Sequence, residues 1–263
     1  MKEINSNTNK NYKLCTQLAA KKYRDKYGLY LIEGDNLIAE AIKCNIEITA
    51  AFVREDYARI SECAVPEPYI LSKNLYDHIA QTETSQGIIA IVKKRNYTES
   101  EFFNHCKSGN ILVLDRLQDP GNIGTMVRTA DAAGYKGVIV IKGTGDFFSP
   151  KVVRAAAGSL FRLPVLFIDT AAEALAVIKY QGKKIVSTCF EAGADYFNVD
   201  LKSDVALLIG NEGGGLSREW IEGADIKVKI PMEPDVDSLN AAIAAGILMY
   251  ESKRQVIFPH IGT

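Results

Sequence analysis

The chain has 263 residues, of which 47% are hydrophobic and 24% charged, and its formal net charge at pH 7 is −1. This length suffices for one large or two ordinary domains with buried cores, and the charge balance excludes a protein that is basic over its whole surface. No run approaches the ~20 apolar residues of a membrane span, and residues 1–11 lack the apolar core of a signal peptide, so we expect a cytoplasmic protein without membrane contact.

Cysteine and histidine are too scattered to suggest a metal site. The chain has five cysteines and three histidines, with no C-x-x-C pair among them. Disulfides and a bound metal are therefore disfavoured, and we expect reduced thiols and no metal.

The first recognisable element is a basic segment at residues 10–26, with six basic residues against a single acid, Asp25. Its periodicity predicts one helix that buries Leu14 and Leu18. The basic residues expected to point outward are Lys10, Lys13, Lys21 and Arg24. Two interpretations remain open, namely contacts with phosphate groups and a plain solvated face.

Alternating strand and helix patterns follow. The predicted strands span residues 29–33, 48–53, 69–71 and 88–92, and the predicted helices span residues 36–43 and a stretch centred on Leu75. This pattern predicts a small α/β sandwich over residues 1–95, followed by a polar linker at residues 96–109. The turn at Glu33-Gly34 could face the same kind of partner as the basic segment or simply join a strand to a helix.

The next segment, residues 111–141, joins an apolar strand to a polar, glycine-bearing turn and a helix. Asn122 can cap that helix, and Arg128 lies in its second turn beside small apolar residues. A turn of this kind sits outside the carboxyl end of a strand, where open α/β sheets bind ligands. Arg128 is thus either a solvated surface arginine or an anion-binding group.

Three later segments carry further candidates. After Pro150, Lys151 and Arg154 share one helix face and could meet phosphates or only water. Residues 205–215 form an apolar strand that runs into Asn211, Glu212 and three glycines. Residues 230–250 contain a strand end, a loop with two prolines and the opening of a long helix.

Taken in order, the segments at residues 111–141, 205–215 and 230–250 resemble the three signature motifs of the SpoU (TrmH) family of RNA ribose 2′-O-methyltransferases, within the SPOUT superfamily. The first motif reads DPGNIGTMVRTA, the second IGNEGGGLS, and the third IPM followed by VDSLNAA. The resemblance covers residues 110–255 and predicts a methyltransferase domain over residues 110–263. The segment KKYRDKYGLYLIEGDNLIAEAI resembles the ribosomal-protein-like substrate-binding domain often placed ahead of that domain.

The resemblance implies a C-terminal SPOUT α/β domain with a deep trefoil knot, preceded by a smaller α/β sandwich domain. It also implies S-adenosylmethionine as cofactor, a homodimer, and RNA as substrate, with large-subunit ribosomal RNA favoured over transfer RNA. The positions that match the catalytic set are Asn122, Arg128, Glu212, Ser238 and Asn240. The expected cofactor contacts are Gly210, Asn211, Ile230, Met232 and Leu239. The candidate RNA contacts are Lys10, Lys13, Lys21, Arg24, Lys151 and Arg154.

The chemistry of this set can be argued from the residue types. A ribose 2′-hydroxyl is a poor nucleophile, so methyl transfer needs it held in line and helped to lose its proton. Because the pKa of arginine exceeds ~12, we prefer electrostatic activation by Arg128 to general-base catalysis, although the family resemblance leaves the base open. Glu212 is predicted to be the charge partner of Arg128. Asn122 and Asn240 would orient the arginine and the ribose.

Two other classes of function fit the pattern less well. An RNA-binding protein of this fold without catalysis is disfavoured by the intact candidate residues. A Rossmann-type nucleotide enzyme fails on pattern, because neither G-x-G-x-x-G nor a G-x-x-x-x-G-K-[ST] loop is present.

The helix predicted over residues 239–251 is apolar nearly all round. Such a helix must be buried on more than one face, either by a second subunit or at the centre of a monomer.

Overall fold

The computed structural model describes residues 2–58, 65, 67–189, 193–236 and 238–258. The chain divides into two compact units. One unit comprises Met1–Arg95 and Phe148–Phe161, and the other comprises Asn96–Phe147 and Arg162–Thr263.

In the described residues, the first unit contains a five-stranded mixed sheet. Its strands are β1 (Lys2–Ile4), β2 (Leu29–Glu33), β3 (Ile48–Arg54), β4 (Tyr69–Leu71) and β5 (Ile88–Lys93), in the spatial order β1-β4-β3-β5-β2. β5 runs antiparallel to both β2 and β3, whereas β4 is parallel to β1 and β3. The four predicted strands are confirmed. β1 was not predicted because only three residues within a polar stretch form it.

The helices of this unit correct one prediction. They are α1 (Lys10–Gln17), α2 (Lys21–Tyr27), α3 (Asp35–Lys43) and α4 (Lys73–Ile79). The basic segment thus forms two helices rather than one. Arg24 is only 3% exposed, and its Nη1 donates to the carbonyls of Leu18 and Ala19, the second at 2.7 Å. These carbonyls follow the end of α1 and lack helical partners, so the guanidinium satisfies them, and the prediction that Arg24 contacts RNA is wrong.

The second unit is built on a parallel sheet, in which the structure describes seven strands. They are β6 (Ile111–Leu114), β7 (Gly137–Ile141), β8 (Val165–Ile168), β9 (Lys184–Thr188), β10 (Ala194–Asp195), β11 (Val205–Ile209) and β12 (Ile226–Lys229), in the order β10-β12-β9-β11-β6-β7-β8. Each neighbouring pair is parallel. β6, β7 and β11 are continuous apolar runs buried on both faces, as is typical of parallel sheets. The α/β fold class is confirmed, and the trefoil knot stays a prediction.

The helices of the second unit are α5 (Glu99–His105), α6 (Pro120–Ala133), α9 (Ala171–Tyr180), α10 (Arg218–Gly223) and α11 (Ala241–Ile257). α5 occupies the stretch predicted as a linker. A capping box between Thr98 and Glu101 starts this helix, and Phe102 and Phe103 pack into the core. The linker predicted over residues 96–109 is therefore wrong, because this otherwise polar segment carries two aromatic rings that make it a core element.

A segment beyond residue 95 also belongs to the first unit. This segment contains α7 (Pro150–Ala156) and most of α8 (Ser159–Arg162). The ring of Phe148 lies 5.0 Å from that of Tyr30, and Arg154 Nη1 donates to the carbonyl of Gln81 at 3.1 Å. Residues 1–95 are therefore not a complete unit by themselves, which differs from the predicted boundary.

Among the described residues, every helix is too short or too polar to span a lipid bilayer.

Candidate active site at the carboxyl edge of the parallel sheet

A cavity opens in the second unit where β9, β11 and β12 end and α11 begins. Its volume is about 210 Å³, and it is open to solvent. All five predicted cofactor contacts line it, namely Gly210, Asn211, Ile230, Met232 and Leu239. In the sequence these residues follow two different strands. They meet because the carboxyl ends of parallel strands share one edge of a sheet.

The walls of the cavity are largely apolar. Ile221, Val228 and Leu248 contribute to them, while Thr188 and Ser238 add hydroxyl groups. An apolar pocket with a few placed polar groups is typical of a small-molecule site.

The loop at residues 210–215 is held by Asn211. The Asn211 Oδ1 accepts hydrogen bonds from the backbone N–H groups of Gly213 and Gly214, both at 3.0 Å. Its backbone pairs with Gly215 in both directions. A Cβ on Gly210 would lie 2.4 Å from the carbonyl carbon of Gly215, so only glycine fits where these two backbone segments cross. The loop is therefore shaped before any ligand binds.

Above this loop, three predicted catalytic residues form one hydrogen-bonded chain. Asn240 Nδ2 donates to Asn122 Oδ1 at 3.0 Å, and Asn122 Nδ2 donates to Glu212 Oε1 at 3.2 Å. Asn240 Oδ1 also accepts from the backbone N–H groups of Ala242 and Ile243, so it is the N-cap of α11. Both carboxamides consequently have a fixed orientation.

Glu212 completes the chain with backbone contacts. Its carboxylate accepts hydrogen bonds from the N–H groups of Gln118 and Asp119, both at 3.2 Å. Burial by itself would raise the pKa of Glu212, but these bonds and the one from Asn122 lower it below its ordinary value. The expected ion pair with Arg128 is absent among the described residues. Glu212 instead joins the loop before α6 to the loop after β11.

Arg128 is exposed on α6. Its neighbours Met126 and Val127 are fully buried and fix the helix against the sheet. Its guanidinium makes no hydrogen bond or ion pair with any residue that the structure describes. A permanently charged fork on a rigid helix is thus available to an anionic ligand.

Ser238 lines the cavity and is exposed. The N-cap of the long helix is Asn240, and α11 starts at Ala241. The helix runs past Glu251 to Ile257, beyond the predicted end at residue 251, because Glu251 is buried and bonded to Arg254 and Gln255.

Comparison with known proteins identifies the family. Residues 109–250 match the model of the SpoU rRNA Methylase family, and residues 9–90 match that of an MRM3-like substrate binding domain. The chain belongs to the SpoU rRNA methylase family. It is 35% identical over 257 residues to the 23S rRNA (guanosine(2553)-2'-O)-methyltransferase RlmP of Bacillus subtilis, covering 95% of this chain and 98% of that protein.

Two solved methyltransferase structures have the same fold. The AdoMet-bound rRNA methyltransferase from Sinorhizobium meliloti superposes with a TM-score of 0.87 at 32% identity, covering 97% of this chain and 98% of the other. The SpoU methyltransferase AviRb from Streptomyces viridochromogenes, in complex with AdoMet, gives a TM-score of 0.85 at 29% identity and covers 95% and 98% of the two chains.

The basic residues predicted to contact RNA belong to the first unit. Lys10 and Lys13 are exposed on α1, and Lys21 is exposed but paired with Asp25 at 2.7 Å. Lys151 and Arg154 are exposed on α7 of the same unit.

Sequence reasoning missed part of the cavity wall. Thr188 and Cys189 at the end of β9, and Ala244 and Leu248 on α11, line it. The apolar strand KIVST was a usable signal, since its end must lie at the same edge as the glycine-bearing loops. In the part of the chain that the structure describes, no cluster of His, Cys, Asp or Glu side chains is arranged to hold a metal.

Proposed function

We propose that this chain is an S-adenosylmethionine-dependent RNA ribose 2′-O-methyltransferase that acts on large-subunit ribosomal RNA in the cytoplasm. The observation that carries the proposal is the hydrogen-bonded chain of Asn240, Asn122 and Glu212 beside a largely apolar cavity. Full-length similarity to RlmP supports the ribosomal substrate, because that relative is a 23S rRNA methyltransferase.

The cavity residues suit the proposed cofactor. Ile230 and Leu239 offer apolar surface to a purine ring, and the backbone of Gly210, Asn211 and Met232 offers donors and acceptors at close range. S-adenosylmethionine, when bound, supplies an activated methyl group. The protein supplies a preshaped loop, since Asn211 fixes the glycine turn without a ligand.

Arg128 is the proposed activator of the ribose hydroxyl. Its fork would bind the neighbouring phosphate and stabilise negative charge that develops on the 2′-oxygen as the proton leaves to water. Asn122, Asn240 and Ser238 present amide and hydroxyl groups that would hold the ribose in line. Glu212 stays ionised because its pKa is lowered, and it positions the Asn122 amide rather than the arginine.

RNA would be captured by the basic surface of the first unit. Arg24 is buried and is no longer a candidate. The other candidates are all exposed, namely Lys10, Lys13, Lys21, Lys151 and Arg154. Each phosphate contact adds a salt-dependent increment to affinity. The first unit, including residues 148–161, is the proposed substrate-binding domain.

A homodimer is proposed from the surface of α11. Ile243 and Tyr250 on this helix are 56% and 53% exposed, whereas its other face is buried and packs against α6. Small residues such as Gly246 between them would let a second helix approach closely. A two-fold interface would bury the same patch on both subunits.

The proposal is tested by methyl transfer. Purified protein is incubated with tritiated S-adenosylmethionine and a transcript of the 23S rRNA segment that contains the guanosine methylated by RlmP. We expect label in this transcript and a 2′-O-methyl mark by reverse-transcription stops. A matched transcript with a 2′-deoxy target nucleotide is the control. Label in transfer RNA alone would show that transfer RNA is the substrate. Binding of RNA without methyl transfer would support the non-catalytic alternative.

A further inference from the structure

Arg116 follows β6 at the edge where the cavity opens. Its backbone carbonyl accepts hydrogen bonds from Asn211 Nδ2 at 2.9 Å and from Gln118 Nε2 at 2.8 Å. Asn211 lines the cavity, and the N–H of Gln118 holds Glu212. Arg116 is therefore built into the loops that carry the candidate active site, although no motif position assigns it a role.

The guanidinium of Arg116 is held by the carboxylate of Asp115. Its Nε lies 3.2 and 3.1 Å from the two carboxylate oxygens of Asp115, and its Nη2 lies 2.9 Å from Oδ2. Asp115 is 2% exposed, whereas the Arg116 side chain is 46% exposed. Among the described residues, the remaining nitrogen, Nη1, has no hydrogen-bond partner. The hydrogen bond and the charge of Asp115 raise the pKa of Arg116.

The backbone of Arg116 is equally constrained. Its φ of +55° is in the left-handed region, which side chains with a Cβ rarely adopt unless their surroundings impose it. The N–H donates to Thr144 Oγ1 at 3.0 Å. The side chain passes so close to Gly143 that a methyl group added to this glycine would lie 3.3 Å from Arg116 Cγ. The end of β7 and the buried carboxylate thus hold the arginine in one place.

We propose that Arg116 binds an RNA phosphate next to the target nucleotide and so positions the ribose for methyl transfer. The inference rests on the proposed function. A counter-ion for Asp115 would need only the two nitrogens that face the carboxylate. Asp115 takes Nε and Nη2, so Nη1 keeps its donors, and a planar guanidinium bonded along one edge can bind a phosphate along another. Contacts of this kind fix the register of a nucleic acid on a protein.

The test separates this role from simple neutralisation of Asp115. Removing Arg116 alone would leave a buried carboxylate unpaired, so the main variant is Asp115→Asn with Arg116→Gln, which neutralises both groups. Lys179→Gln, an exposed cation on α9, is the matched control for loss of one positive charge. The probe is the 23S rRNA transcript described above, with S-adenosylhomocysteine present for affinity measurements.

We expect the double variant to raise the Kd and KM for RNA about 10-fold, with kcat and S-adenosylhomocysteine affinity changed less than about twofold. The slope of log affinity against log salt should weaken by roughly 0.7 to 0.9, the share of one phosphate contact. Arg116→Lys keeps a positive charge beside Asp115 but lacks the guanidinium that can bridge the Asp115 carboxylate and an RNA phosphate. This variant should also raise the KM for RNA.

Wild-type KM and salt slope in a folded double variant would overturn the inference. The same result in Arg116→Lys decides the question if the double variant does not fold. A loss confined to melting temperature or cofactor affinity would assign Arg116 a structural role only. Absence of methyl transfer by the wild-type protein would sink the proposed function instead, and the RNA affinity measurements would still decide the role of Arg116.

Discussion

Asn240 donates a 3.0 Å hydrogen bond from its side-chain amide to the carboxamide oxygen of Asn122, across a sequence separation of 118 residues. The same Asn240 caps α11, and the same Asn122 reaches Glu212 after β11. These two side chains therefore link the start of α11, the first turn of α6 and the glycine-bearing loop. Geometry in the candidate site depends on this link.

Replacing Asn240 by serine should separate its two roles. Serine caps a helix about as well as asparagine, so the melting temperature should hold, but it cannot donate to Asn122 as an amide does. Methyl transfer should fall about 10²-fold, the scale of a small misplacement of reacting groups. Asn240→Ala is the comparison, with an additional cost of about 1 kcal/mol in the free energy of unfolding. Steady-state kinetics and thermal melts make the measurement, and full activity in Asn240→Ser would contradict the positioning role.

Arg128→Ala should abolish most activity without harming the fold. The side chain is exposed and makes no contact that the structure describes as a hydrogen bond or ion pair, so the free energy of unfolding should change by less than about 0.5 kcal/mol. The rate of methyl transfer should drop roughly 10²- to 10³-fold, as for removal of a charge-stabilising donor. S-adenosylhomocysteine affinity, measured by calorimetry, should be retained. Near-wild-type turnover would exclude electrostatic activation by Arg128.

Filling the cavity should block the cofactor. Ala244 on α11 lines the cavity, and Ala244→Leu would place a larger apolar side chain inside it while keeping a good helix former. We expect S-adenosylhomocysteine affinity to fall at least about 10-fold, because the ligand and the new side chain compete for the same volume. Ala132→Leu, at an exposed position of α6, is the matched control. Substitution of Gly210 is a poor test, since any side chain there would collide with Gly215 and distort the loop itself.

Cysteine reactivity offers a test of the same cavity without mutation. Burial raises the pKa of Cys15 and of Cys106 to about 12, so both thiols should resist iodoacetamide at pH 8. Cys44 and Cys189 are partly exposed and should react. Because Cys189 lines the cavity, saturating S-adenosylhomocysteine should slow its alkylation and leave the rate at Cys44 unchanged. Peptide mapping by mass spectrometry reads each site separately, and Cys63 lies outside the described residues. Equal Cys189 rates with and without bound ligand would place the ligand elsewhere.

The proposed dimer predicts a change of mass on one substitution. Ile243→Glu puts a charge on the exposed face of α11, where a partner helix would have to bury it. Light scattering at micromolar concentration should show twice the chain mass of 28.9 kDa for the wild type and a shift towards 28.9 kDa for the variant. Tyr180→Glu changes an 86% exposed side chain on α9 and should leave the mass unchanged. A wild-type protein that is monomeric and fully active would rule the dimer out.

Local pattern was enough to place several strands and the motif loops of this protein. Short runs such as residues 111–114 and 205–209 are recognisable as strands because all their side chains are apolar, as expected for strands of a parallel sheet that is buried on both faces. Glycines and asparagines after these runs predict turns for reasons that lie within a few residues. The strands of the second unit run parallel, so these turns meet at one edge of the sheet. The cavity residues named from the sequence came from the resemblance to the SpoU motifs.

Partners distant in the chain were decided only by the tertiary structure. The sequence shows a basic residue, Arg24, among apolar residues at helical spacing. It does not show that the first helix ends at Leu18 and leaves backbone carbonyls that the Arg24 guanidinium binds. The charge of Glu212 suggested an arginine partner, whereas the backbone of residues 118–119 lies close enough to bind it first. Hydrogen bonds and ion pairs depend on distances of about 3 Å between groups that the sequence separates by tens of residues, and periodicity carries no information about those distances.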